Sequence, residues 1–225
     1  MKTIRVTGRG LLRVAPDATR VTMTLEGCSA AYDEALRRSS EETEQVKALL
    51  SRLGFERTDL KTLDFRIDAD YESYQDKEGV YRQRFVGYRF THTMKVEFPS
   101  DSDRLGRVLS ALASGSVRPE FRVSYTVSDP EGARNALLER AVADATEKAA
   151  ALTRAGGVPL GDLQSIDYSW GRIDFEVLPR KVDGLVECCE NPIEAFGCAP
   201  DITPDDIEVS DAVTVVWEIG ERNDP

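Results

Sequence analysis

Three of the four cysteines, the side chains best suited to metal chemistry, lie close together as Cys188, Cys189 and Cys198. Thiolates are good ligands for zinc and other soft metals. The spacing argues against such a site, because no CxxC pair occurs and the single histidine, His92, would have to complete the ligand set. We predict no metal and no cofactor. The sequence favours loop thiols that either pack at a contact or are prone to oxidation.

His92 is also the only residue on which histidine-based catalysis could rest. It shares one strand parity with Phe90 and Met94, which favours a histidine packed in a core or an interface. A catalytic triad needs a nucleophile and an orienting acid, and the sequence places neither beside His92. We therefore assign no catalytic residue and expect a non-enzymatic protein.

Asp64, Asp68 and Asp70 fall on one face of a predicted strand, with Arg66 between them. Paired carboxylates can carry out acid–base chemistry or bind Ca²⁺. Alternating charges on the solvated face of a half-buried strand give the same pattern, and we favour that interpretation. A hydrolase built on Asp64 and Asp68 is the weakest alternative.

The first residues of the chain show the period of two that is typical of half-buried strands. Residues 4–27 predict two strands joined at Pro16-Asp17, which we interpret as a hairpin. Gly8 and Gly10 lie inside the first strand, where glycine marks a bulge or a close backbone approach. Gly8-Arg9-Gly10 is not a phosphate loop, because no helix follows it.

Helix signals separate the later strands. Ser29 is a good N-cap for a helix that stops at Gly54. Asp129-Pro130 predicts the start of an alanine-rich helix that ends at residues 156–157. Its stripe, formed by Leu138, Val142, Ala145, Ala149 and Leu152, predicts packing on its own sheet in preference to a neighbouring subunit.

The resulting order is ββαββαβαββ, which predicts an α+β fold of mainly antiparallel sheets with helices packed on one face. We expect two subdomains, the first about residues 1–87 plus 205–220 and the second, a split βαβ-like sandwich, about 88–171. Residues 172–204 predict a long acidic loop with prolines and three cysteines. Long loops in compact domains tend to be functional, interfacial or disordered.

Composition and charge exclude several classes of protein. The net charge is −11, and nine acidic residues with no Lys or Arg fall between Asp183 and Asp211. A partner with a phosphate backbone requires a basic face, so we predict no nucleic acid. No apolar run approaches the roughly 20 residues of a membrane-spanning helix. With no secretory signal pattern at the N-terminus, we expect a cytoplasmic location.

Several separated segments resemble the SIMPL-domain family. They are VTGRGLLRVAPDATRV, LKTLDFRIDADYESY, VGYRFTHTMKV, SDPEGARNALLERAVADATEKAAALTRAGGVPLG and the closing TPDDIEVSDAVTVVWEI. The resemblance implies an architecture and no established reaction. The family includes bacterial periplasmic or envelope proteins, among them an immunogenic protein that forms large rings, and a mammalian kinase-associated protein. A homo-oligomer, with a further protein partner as an option, is the expectation that follows.

We therefore expect a non-enzymatic, self-assembling or protein-interacting chain. Phe196 in the acidic loop, with Trp217 and Asp211 on the last strand, are the interface candidates. The alternative is a small-ligand or metal-binding module that uses the groove between the subdomains and the cysteine-containing loop.

Overall fold

The computed structural model describes residues 2–75, 79–168, 173–178 and 204–221. Within these residues the order is ββαββαβαβββ, which matches the prediction apart from one added two-residue strand. The class is α+β with antiparallel sheets, as predicted. The elements are β1 (Thr3–Val14), β2 (Ala18–Ser29), α1 (Tyr32–Arg52), β3 (Lys61–Gln75), β4 (Tyr81–Pro99), α2 (Ser102–Ser114), β5 (Glu120–Thr126), α3 (Pro130–Gly156), β6 (Leu160–Asp167), β7 (Glu176–Val177) and β8 (Ile207–Ile219).

The chain forms two compact units, and their boundaries differ from the predicted subdomains. Unit 1 comprises Met1–Asp17, Thr126–Val177 and Asp205–Pro225, and unit 2 comprises Ala18–Tyr125 and Leu178–Pro204. The chain therefore changes unit between β1 and β2, and residues 88–171, predicted as one sandwich, are divided. The cause is strand pairing: β1 pairs with β8 and β2 pairs with β4, so the predicted β1–β2 hairpin is wrong.

Unit 1 contains a three-stranded sheet in the order β1-β8-β6. The antiparallel register of β1 and β8 is unbroken from Thr3↔Glu218 to Val14↔Ile207, so β1 has no bulge. A Cβ added at Gly8 or Gly10 would collide with the carbonyl oxygens of Ala141 or Leu137 on α3. Of the two meanings predicted for these glycines, close backbone approach is confirmed.

Helix α3 covers this sheet with small side chains. Asp129 caps it by accepting a hydrogen bond from the Gly132 N–H at 2.8 Å, as the Asp-Pro signal predicted. Its buried stripe is formed by Leu137, Ala141, Ala145, Ala149 and Thr153. Ala145 and Ala149 are thus buried as predicted, whereas Leu138 and Val142 are partly buried at its side. Leu152, predicted to pack, is 57% exposed. Alanine is small enough to let the helix backbone approach the glycines of β1.

Unit 2 contains strands in the order β3-β4-β2-β5. β4 is antiparallel to β2 in continuous register and to β3 with two irregularities, between Thr62 and Asp64 and between Asp70 and Tyr71. Both long helices of this unit contribute to a single core. Its largest fully buried side chains are Phe90, Met23, Leu25, Leu50, Met94, Leu112, Val21, Val96 and Val108.

The ends of α1 test the boundaries that the sequence predicts for this helix. β2 extends to Ser29, and α1 starts after Ala31 without a side-chain cap, so the Ser29 prediction is wrong. The α1 stop is confirmed, since Gly54 follows it with φ +83°. Asp101 caps α2 by accepting a hydrogen bond from the Arg104 N–H at 3.0 Å.

Among the described helices, none combines the length and the apolar character needed to cross a membrane.

Candidate functional site

Strands β3 and β4 continue as a two-stranded ribbon beyond the end of β2. The β2–β4 pairing stops at Ser29↔Tyr88, and a side chain at Gly87 would collide with the Ser29 carbonyl oxygen. We call residues 71–75 and 79–86 the arm. Every one of these residues is exposed, on both faces of the ribbon. The arm therefore has neither a further strand nor a helix covering it within the described residues.

The arm and its base concentrate exposed apolar side chains. Eight of the sixteen exposed large hydrophobic side chains in the described residues lie between Lys61 and Pro99. They are Leu63, Phe65, Tyr71, Tyr74, Val80, Tyr81, Phe85 and Val86. Scattered exposed hydrophobic residues need no explanation, whereas a contiguous group marks an interaction site.

Four aromatic rings connect the arm to the start of α1. Tyr71 and Phe85 have ring centroids 5.7 Å apart, Phe85 and Tyr88 5.3 Å, and Tyr88 and Tyr32 5.5 Å, all in edge-to-face geometry. We call these four residues the aromatic row. Tyr71 is 56% exposed and Tyr32 is 52% exposed. Edge-to-face contacts fix ring orientation, so the row presents an ordered apolar surface to solvent.

His92 lies next to this surface, on β4, in a complete set of hydrogen bonds. The Thr43 hydroxyl donates to the Ser39 carbonyl oxygen at 2.7 Å, so its oxygen accepts from His92 Nδ1–H at 3.0 Å. The neutral ring then accepts at Nε2 from the Thr62 hydroxyl at 2.9 Å. Because Thr43 already donates its proton to Ser39, the proton of the Thr43–His92 hydrogen bond belongs to the imidazole, which is therefore the Nδ1–H tautomer.

The electrostatic environment keeps His92 neutral. Burial lowers the pKa of His92 below its ordinary 6.5, and the positive charge of Lys47 lowers it further. Phe65 packs edge-to-face on the imidazole, with ring centroids 5.1 Å apart. The side chain is 9% exposed, which matches the predicted packed histidine.

A shallow cleft of about 390 Å³ opens above His92 between α1 and β3. Hydroxyl groups line its floor and the apolar side chains of Leu36 and Phe65 line its rim. Glu44 in the cleft wall is neutralised locally by Arg57 and Lys47, whose hydrogen bonds lower the pKa of its carboxyl. Both nitrogens of His92 have threonine hydroxyl partners, so the network connects α1 with β3 and β4.

The aspartates of β3 do not gather into a catalytic pair. Asp64 is exposed, and the Asp68 side chain is 71% exposed. Asp70 forms an ion pair with Arg89 across the β3–β4 pair, at 2.6 Å. Neither Asp64 nor Asp68 lines the cleft, so the arrangement does not support the hydrolase alternative. In the part of the chain that is described, no group of three His, Cys, Asp or Glu residues could hold a metal ion.

The remaining predicted site residues are dispersed. Trp217 is 5% exposed and packs in the core of unit 1. Asp211 accepts a hydrogen bond from the Tyr168 hydroxyl at 2.9 Å, and its role as an interface residue stays a prediction. Phe196 and the three cysteines considered as metal ligands, Cys188, Cys189 and Cys198, lie outside the described residues.

Comparison with known proteins decides the family. The profile of the SIMPL family, described as "Protein of unknown function (DUF541)", matches residues 4–217. The chain belongs to the SIMPL family. This confirms the resemblance found in the sequence and adds no reaction to it.

Curated relatives share about a quarter of the aligned residues. The chain is 26% identical over 163 residues to the "26 kDa periplasmic immunogenic protein" of Brucella melitensis and to that of Brucella abortus. It is equally identical over the same length to the "Uncharacterized protein YggE" of Edwardsiella ictaluri. Each match covers 72% of this chain and 65% of the relative. The chain thus matches somewhat under two thirds of the relatives' own length.

The arm was missed in the sequence for a physical reason. The alternation over Leu63–Tyr71 indicates a strand with one apolar face. The same pattern arises whether that face is buried in the protein or exposed to solvent. One signal was present, because Val80-Tyr81 and Phe85-Val86 place apolar side chains on both faces of the strand. A strand that is apolar on both faces must be buried twice or exposed for contact.

Proposed function

We propose that this SIMPL-family chain is a non-enzymatic interaction module that self-associates through the arm and the aromatic row. The observation that carries the proposal is the uncovered ribbon with its ordered aromatic side chains.

The energetics of a bare ribbon support a partner. An isolated two-stranded hairpin is marginally stable in water, and additional strands or a packed face stabilise it. Tyrosine and phenylalanine are enriched at interface centres, where they combine a large apolar area with few rotatable bonds. Burial of Tyr71 and Phe85, which are 56% and 44% exposed in the single chain, would stabilise both the ribbon and the contact.

The compartment follows from the names of the relatives. Two of them are called periplasmic, and this favours a periplasmic location for our chain over the cytoplasmic one expected from its sequence. Cell fractionation of the source organism with an antibody against this chain would check the location. Recovery in the cytoplasmic fraction alone would contradict it.

The self-association proposal is tested by removing the aromatic side chains. We expect the Tyr71→Ser/Phe85→Ser variant to associate at least tenfold more weakly, as the loss of two central aromatic contacts exceeds about 2 kcal/mol. Light scattering on a sizing column, over a range of protein concentrations, measures the change.

A matched control separates the arm from general surface effects. Leu152→Ser removes a side chain of similar exposure, 57%, from α3 in unit 1 and should leave the association constant unchanged. Circular dichroism verifies that both variants are folded. Equal association of the arm variant and the unmodified chain would remove the arm from the proposal.

A further inference from the structure

The outer edge of β3 carries a specific pairing site, an inference that rests on the proposed self-association. β3 is the terminal strand in the order β3-β4-β2-β5. Its outward N–H and C=O groups form no backbone hydrogen bond within the described residues. Such an edge is a template for pairing with another strand.

Strand β1, at the edge of the other sheet, shows how this chain protects an edge. The Arg9 N–H donates to Asp144 of α3 at 2.7 Å, and Arg140 of the same helix donates to the Leu11 carbonyl oxygen at 2.8 Å. Two helix side chains thus occupy the backbone groups of β1. Within the described residues no such hydrogen bond reaches the backbone of β3, so the two edges differ in accessibility.

Some charged residues of β3 form ion pairs with β4, whereas others have an uncharged residue opposite them. Asp70 pairs with Arg89 at 2.6 Å, and Glu72 pairs with Arg84 at 2.7 Å, both across the β3–β4 pair. Asp64, by contrast, lies opposite the uncharged Thr93. Within the described residues, no cation of β4 lies directly opposite Asp64.

The exposed charges near Asp64 are complementary to the same charges on a second copy of β3. Asp64, Arg66 and Asp68 are exposed and alternate in sign along one strand face. The Arg66–Asp68 contact in the same strand is long, at 3.6 Å, and the Arg66 side chain is 61% exposed. A second copy of β3 offers both the anion and the cation that this face can accept.

Geometry limits the possible registers. In an antiparallel pair, two directly opposed residues either both form hydrogen bonds to each other or both do not. When two identical strands pair about a two-fold axis, one residue must therefore lie directly opposite its own copy, and the axis passes between these two copies. An axis through residue 64, 66 or 68 would place that charged side chain opposite itself. An axis through Ile67 would place Asp64 opposite Asp70. Like charges directly opposed are destabilising.

An axis through Phe65 avoids every like-charge pair. It places Asp64 opposite Arg66 of the other copy, twice by symmetry. On the apolar face it places Phe65 opposite itself. Phe65 is 44% exposed, and the pairing would cover it.

We propose that β3 pairs antiparallel with β3 of a second copy of this chain, about a two-fold axis through Phe65, with Asp64 opposite Arg66. The contact is isologous, and it joins two sheets into one continuous sheet.

Charge reversal tests both the pairing and its register. Asp64→Arg and Arg66→Asp each place like charges opposite each other twice, and each should weaken dimer formation about tenfold. The double variant Asp64→Arg/Arg66→Asp restores opposite charges and should return to within about threefold of the unmodified dissociation constant. An equimolar mixture of the two single variants should form a heterodimer more tightly than either forms its own dimer. Sedimentation equilibrium measures all four samples.

Glu147→Arg is the control, because it changes the net charge as Asp64→Arg does, at an exposed position of α3 in unit 1. It should leave the dissociation constant unchanged.

Each contrary result has a distinct meaning. Tighter association of Asp64→Arg would overturn the Phe65 register, since it is the outcome that an axis through Ile67 predicts. Unchanged association in all charge variants, together with weaker association of Tyr71→Ser/Phe85→Ser, would overturn β3 pairing and leave the arm as the contact. A monomeric unmodified chain would overturn both.

Discussion

At the scale of single residues, His92 shows how one polar group can be buried without a charge. Its two ring nitrogens hydrogen-bond to Thr43 and Thr62, at 3.0 and 2.9 Å, in the neutral tautomer. Protonation would place a second donor against Thr62 and a charge in a buried site near Lys47. The arrangement therefore stabilises the folded protein only while the imidazole stays neutral.

This arrangement predicts a pH-dependent stability. Because the pKa of His92 is lowered on folding, the unfolded chain takes up the proton first as the pH falls through the ordinary value of 6.5. The contribution of His92 is thus complete above pH 6.5 and declines below it. We expect His92→Gln to be about 1–3 kcal/mol less stable at pH 8. The difference should shrink towards pH 5.

Urea unfolding of both proteins at pH 8, 6.5 and 5 measures this difference. A constant difference between the two proteins at all three pH values would mean that His92 does not change its pKa on folding.

At the scale of elements, the contact between β1 and α3 depends on the absence of two side chains. A Cβ at Gly10 would collide with the Leu137 carbonyl oxygen, and a backbone atom cannot move aside as a flexible side chain can. We expect Gly10→Ala to destabilise the protein by about 3 kcal/mol, at the upper end of overpacking effects.

Gly156→Ala provides the control for this substitution. The nearest side-chain atom, Val158 Cγ2, lies 3.8 Å from the added Cβ, which is an ordinary contact. Alanine there should be neutral or slightly stabilising, because it favours the helix. Chemical denaturation compares the variants, and equal midpoints for Gly10→Ala and the unmodified chain would show that α3 does not require the close approach.

The same elements show which features of the fold could be predicted from the sequence. Periodicity of two identified β1, β2, β3 and β4, because the buried face of a strand is encoded locally. The partners of β1 were not predictable in this way: Pro16-Asp17 indicated a hairpin, yet β8 lies about 200 positions away in the chain. Pairing depends on the register of distant strands and on the packing of α3, and neither is visible in a window of residues.

Caps followed a similar rule. The Asp129 cap was predictable, because a proline and an alanine-rich helix pattern follow it directly. Ser29 was misread, since β2 continued through it and no side chain caps α1. Of the candidate site, the packing of His92 was predictable from its parity, whereas the arm was not. The sequence defines the apolar side chains of the arm, but the end of β2 at Ser29 leaves them uncovered.

At the scale of the whole molecule, the role that we propose for this SIMPL-family chain is contact with a second copy of itself. Half of the exposed large apolar side chains in the described residues lie between Lys61 and Pro99, and the one histidine is hydrogen-bonded within unit 2. The contact residues that we propose, on β3 and the arm, differ from the interface candidates on β8 and in the acidic loop. Deletion of residues 179–204 would test that loop separately from the arm.

The most direct test is the solution mass of the unmodified chain under reducing conditions, by light scattering across a range of concentrations. Self-association predicts a discrete species of at least twice the 25.0 kDa of one chain. It also predicts that Tyr71→Ser/Phe85→Ser shifts this species towards one chain while Leu152→Ser does not. A mass of one chain at every concentration would contradict the account.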